Sequence, residues 1–132
     1  MSDDEVFKFR AEEFENEPSF RWPEQFAESQ ARLSNLSKPE AKKLQELGDW
    51  VNENLVRCQS LGLEPHSPET QKVVAQHFIW VNVFWDSDKT EYLKLSEMYV
   101  ENPRYHAYYE RISPGMSEYL SLAMKTYANS ML

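Results

Sequence analysis

Between residues 38 and 61 the apolar side chains fall at Leu44, Leu47, Val51, Leu55 and Cys58, in steps of three and four. That period lines them along one stripe of an α-helix, with Trp50 at its edge. The next segment has a different pattern. From Val73 to Trp85 only Gln76, His77 and Asn82 are not apolar, so a helix here is expected to be buried nearly all round. Val81-Asn82-Val83-Phe84-Trp85 alone would pass for a strand, but the length of the segment and its Ser67-Pro68 start favour helix.

Helix starts are written repeatedly. Ser37 followed by Glu40 has the spacing of a capping box. Ser67-Pro68, Asn102-Pro103 and Ser113-Pro114 each place proline at a first helical position, where its missing N–H is not needed. Gly62 stands where a left-handed cap would stop the first helix. These signals predict helices over 38–61, 68–85, 88–101, 103–111 and 114–130. Residues 3–15 and 23–35 are predicted as two further amphipathic helices separated by Glu17-Pro18-Ser19. The expectation is one all-α domain over 1–132, of about five to seven helices, with a helical core over 37–132.

Charge narrows the function. The 132 residues carry a net −8, and residues 1–30 alone hold nine acids against three bases. No cluster of Lys and Arg is present, so direct nucleic-acid contact is not expected. No apolar run approaches the length of a membrane span. Cys58 is the sole cysteine, which fits a reducing, cytoplasmic setting.

Chemistry is sparse. The histidines His66, His77 and His106 have no zinc spacing, and no phosphate loop or nucleophile elbow occurs. No enzyme activity, metal or cofactor is expected. His77 lies on the stripe of Trp80, Val81 and Phe84. It reads as a core histidine with one satisfied nitrogen; the alternative is a haem ligand or a polar contact to a bound molecule. All seven tyrosines lie between Tyr92 and Tyr127. Tyr105, Tyr108 and Tyr109 follow one another around one short helix, and not all three are expected to face inward. A surplus of Tyr, Trp and Met in a helical protein suits a large apolar ligand.

The run Leu95-Ser96-Glu97-Met98-Tyr99-Val100-Glu101-Asn102-Pro103-Arg104-Tyr105, then Tyr108-Tyr109, Ile112-Ser113-Pro114-Gly115 and Tyr119-Leu120, resembles the TipAS family of antibiotic-recognition domains. Weaker matches extend upstream through Trp22, Phe26, Glu28-Ser29, Arg32, Gly62, Pro68-Glu69 and His77. The resemblance implies a globin-like all-α fold without haem and a cleft for bulky, often peptidic antibiotics. It also implies either a sensor domain of a MerR-type regulator, with a fused or partner DNA-binding domain, or a free-standing binder that sequesters drug. Met1 makes a free-standing product, or an internal start, the simpler expectation. Thiopeptide-binding members have a cysteine just after the aromatic end of the central helix, where this chain reads Phe84-Trp85-Asp86-Ser87-Asp88. Many members have histidine where this chain has Tyr92. Both departures imply non-covalent binding of a different hydrophobic or peptidic small molecule. The candidate ligand-binding residues are Trp80, Phe84, Trp85, Tyr92, Met98, Tyr99, Tyr105, Tyr109, Met116 and Tyr119. Residues 1–36, acidic but rich in phenylalanine, are expected to act as a mobile lid that orders over ligand. The alternative use of the same cleft is to receive a helix of a partner protein.

Overall fold

The computed structural model describes residues 23–132, with side chains from residue 28 onward. Six helices make up this part: α1 (Pro23–Ser34), α2 (Lys38–Ser60), α3 (Pro68–Phe84), α4 (Lys89–Glu101), α5 (Pro103–Ile112) and α6 (Met116–Met131). No strand occurs among the described residues. The predicted helix over 3–15, and most of the proposed lid, lie outside them. Residues 23–34 of that lid form α1, which packs on α3.

The start signals act as the sequence predicts. Ser37 accepts the Glu40 N–H while Glu40 reaches back to the Ser37 N–H, which completes the capping box. Ser67 caps α3 through the Thr70 N–H, and Asn102 caps α5 through the N–H groups of Arg104 and Tyr105. Gly62 ends α2 with φ +71°. The Leu63 N–H returns to the Cys58 carbonyl and the Gly62 N–H to Gln59, the paired bonds of a Schellman motif.

Ser113-Pro114 behaves differently. The proline precedes α6 rather than opening it, and Gly115, at φ +82°, is the N-cap. Glycine tolerates this left-handed conformation without a Cβ clash. Gly115 has no side chain to offer, so the Glu110 carboxylate accepts the N–H groups of Gly115 and Ser117 instead. From α2, Gln59 clamps the same turn by donating to the Pro114 carbonyl and accepting from the Ser113 hydroxyl.

The core is arranged around α6, which packs on α2, α3, α4 and α5. Small buried residues on it, Ser117, Ser121, Ala123 and Ala128, let neighbouring backbones approach, while Met116, Leu120 and Met124 fill the spaces between. α3 is less enclosed than its composition suggests. Its Val73, Val74, His77, Trp80, Val81 and Phe84 are buried, but Ile79 is 51% exposed and Phe78 and Val83 are half-buried. The helices α1, α2 and α6 cover three sides of it, and the flank bearing Lys72 and Ile79 faces outward.

Candidate functional site

Nine of the ten sequence-chosen residues meet in the core. Trp80, Phe84, Trp85, Tyr92, Met98, Tyr99, Tyr105, Tyr109 and Met116 are all buried. Their rings interlock: Trp80 stands edge-on to Phe84 at 4.7 Å, and Tyr99 lies 5.1 Å from Tyr105 and 4.7 Å from Tyr109 between centroids. Burying each such side chain contributes roughly 1.5–3 kcal/mol. The tenth, Tyr119, stands apart and is half-buried. Its hydroxyl donates to the Leu63 carbonyl at 2.9 Å and meets the Thr70 hydroxyl at 3.0 Å, which fastens the α2–α3 loop to α6.

Tyr105, Tyr108 and Tyr109 all face inward, contrary to the sequence expectation. Positions i, i+3 and i+4 share one helix face, so three consecutive choices of that face are compatible with burial. Tyr105 and Tyr109 meet Tyr99 of α4, while Tyr108 turns toward α2 and its hydroxyl accepts from Asn52 at 3.2 Å.

His77 is the polar centre of this cluster. It is 2% exposed, and its Nδ1 lies 2.7 Å from the Tyr92 hydroxyl and its Nε2 3.1 Å from that of Tyr99. A singly protonated ring donates to one hydroxyl and accepts from the other. Both nitrogens are thus engaged where the sequence reading expected one, and neither is presented to a haem iron. Burial pushes the Tyr92 phenol well above its usual value, and the nearby Tyr99 and Tyr127 phenols add to the rise. Beside His77 and Trp80 is a cavity of about 10 Å³, lined also by Gly48, Val51, Asn52, Tyr108 and Tyr109. A drug-sized ligand needs about 300 Å³ or more, so the aromatic set is a closed wall in this structure.

Two further features lie outside the ten residues. The first is the junction of α1 with the end of α3. Arg32 donates to the Asn82 carbonyl at 2.8 Å, to Asp86 at 2.9 Å and to Glu28. Asp86 leads the rise of the Arg32 pKa, which partial burial opposes. Asn82 shapes the following turn by accepting the Ser87 N–H at 2.8 Å and donating to the Phe78 carbonyl. Beside it, the Ser29 hydroxyl of α1 is fully buried and has no hydrogen-bond partner. The second is a groove of about 250 Å³ between the last turns of α2 and the start of α3, edged by Trp50 and Leu61 and containing Cys58. Trp50 flanks the core stripe in the sequence pattern, and an aromatic at the stripe's edge was the available signal for an open face. Among the described residues, no cluster of potential metal ligands occurs and no helix is long and apolar enough to cross a membrane.

Comparison with known proteins agrees with this architecture. A solved structure of TipAS from Streptomyces lividans in complex with nosiheptide, described as part of a thiopeptide antibiotic multidrug resistance system, superposes with a TM-score of 0.78. It is 20% identical, and the match covers 92% of each chain, which shows a shared fold. The HTH-type transcriptional regulator SkgA of Caulobacter vibrioides, in strains NA1000/CB15N and ATCC 19089/CIP 103742/CB 15, is 29% identical over 104 residues. That match takes in 77% of this chain but 41% of the regulator, so the chain spans about two fifths of the length of these relatives. The family model of the TipAS antibiotic-recognition domain matches residues 12–127, and the chain belongs to that family.

Proposed function

We propose that this domain binds a bulky, largely apolar or peptidic antibiotic-like molecule without a covalent bond, and that it serves as the sensing part of a transcriptional regulator. The ligand lies where α1 crosses the end of α3, around the Asp86-Ser87 turn and the outward flank of Ile79. Trp85 directly precedes this turn. Phe84, Trp80, Met98, Tyr99, Tyr105, Tyr109 and Met116 form a rigid wall behind it, and Tyr119 holds a distant loop.

The observation that carries this reading is the Arg32 clip, which draws α1, α3 and the Asp86-Ser87 turn to one point. Residues 85–88, the turn itself, contain no cysteine. Here the turn offers Ser87, whose hydroxyl donates to the Asp88 carbonyl. The sole thiol, Cys58, packs near Val73, and the stretch of α3 from there to its end is about 17 Å at 1.5 Å per residue. The DNA-binding regulators among the relatives favour sensing over sequestration.

A thermal-shift panel of peptidic antibiotics that includes nosiheptide tests the proposal. At one hundred times Kd a ligand adds about 2.7 kcal/mol of stability, which moves the melting temperature by several degrees. The expected ligand raises it, leaves the protein mass unchanged after denaturation, and loses about tenfold in affinity to Arg32→Ala. No rise with any compound, or a covalent adduct, would overturn the reading.

A further inference from the structure

We propose that the groove between α2 and α3 is a second binding site, for a small amphipathic anion with an aromatic or branched apolar body. The groove is remote from the Arg32 clip and shares none of its residues. Trp50 is 44% exposed and Leu61 63% exposed at its edges, although both are large apolar side chains next to a protein core. Cys58, Leu63 and Val73 form the floor. An opening of about 250 Å³ accepts a small molecule of two or three aromatic rings.

The charges select the sign of the ligand. Arg57 from α2 and Lys72 from α3 converge on the groove from opposite walls. Neither has an ion-pair partner among the described residues. Glu69 is the one acid in the lining, which leaves the groove a net +1 on a chain of net −8. Two unpaired cations beside an exposed indole and leucine present an apolar seat with a cationic rim. A carboxylate or sulfonate on an apolar body meets both parts at once, and a neutral body of the same shape meets only the first. Trp50 adds a flat face on which an aromatic ring stacks.

Two dyes separate these terms: 1-anilinonaphthalene-8-sulfonate, and N-phenyl-1-naphthylamine, which keeps the apolar body but has no sulfonate. Titrated into the full chain at low ionic strength, the sulfonate is expected to bind at one site and at least tenfold more tightly than the neutral dye. Arg57→Gln with Lys72→Gln removes that preference and leaves neutral-dye binding in place, because both side chains are at the surface. Leu61→Glu weakens both dyes, and its exposure makes it compatible with folding, which circular dichroism checks. Arg32→Ala leaves both unchanged. Equal affinity for the two dyes, or a preference that survives the double substitution, would sink the proposal. Displacement of the sulfonate by a compound that binds at the Arg32 junction would place it at that other site and likewise overturn a second one. Antibiotic binding is measured on the same variants and is expected to be unaffected by them, so the two proposals fail separately.

Discussion

The bond between His77 and Tyr92 is the sharpest point at which to probe the core. Tyr92 is fully buried, and its hydroxyl sits 2.7 Å from His77 Nδ1. Replacing His77 with leucine leaves that buried hydroxyl without its imidazole partner. Such a loss costs about 1–3 kcal/mol, and the lost bond to Tyr99 brings the sum to about 2–4 kcal/mol. Tyr92→Phe removes the bond at Nδ1 while Nε2 keeps Tyr99, at about 1–3 kcal/mol. The double variant removes both polar groups together, so its cost falls short of the sum of the two by about 1–2 kcal/mol. Urea unfolding followed by far-ultraviolet circular dichroism resolves this. With a slope of about 1–3 kcal/mol per molar urea, a 2 kcal/mol loss moves the midpoint by about 1 M. Single losses of this size are within the usual total stability of about 5–15 kcal/mol, so each variant retains a folded baseline. Strict additivity within about 0.5 kcal/mol would refute the claim that these two side chains satisfy each other.

Two other perturbations test the packing and the α5–α6 turn. Gly48→Ala sets a helix-propensity gain of about 1 kcal/mol against a Cβ that would lie 3.1 Å from Trp80 Nε1. The adjoining cavity of about 10 Å³ is too small to take up the displaced ring, so overpacking of about 1–3 kcal/mol outweighs the gain and the melting temperature falls. A rise would show that Trp80 moves freely. At Glu110, the Gly115 N–H lowers the carboxyl pKa, helped by the Ser117 N–H and hydroxyl and by His106, against partial burial. A folded value below the unfolded one means that the stabilisation is present above the ordinary carboxylate range and lost as pH falls through the folded value. Glu110→Gln is therefore less stable than the parent at neutral pH, and the gap between their urea midpoints closes by about pH 3. A constant gap would remove Glu110 from the acid response.

Helix ends were legible because capping is local chemistry. Ser37, Ser67 and Asn102 each act within three residues of themselves, and the observed helices begin where those residues place them. Ser113-Pro114 has the same look but a different outcome, since the deciding group, Glu110, lies on the preceding helix and Gln59 on another one. The aromatic tail was legible as a cluster. Its degree of closure was not, because the space between rings depends on how α2 and α6 settle against it, down to tenths of an ångström. The same limit applies to the Tyr108 hydroxyl, whose partner Asn52 lies 56 residues earlier in the chain. The Arg32 clip spans 50 and 54 residues to its partners, and nothing in the local pattern of either end identifies the other.

The central position of α6 has a consequence for how the protein comes into being. The helix that four others share is the last of the six to be synthesised. Until it emerges, α2, α3, α4 and α5 have no common surface to close on, and the tyrosines of α4 and α5 remain open to water and to other chains. Domains generally fold as units during synthesis. The aromatic faces of α4 and α5 therefore stay uncommitted until α6 is made, and a truncation within α6 removes the helix on which four others pack.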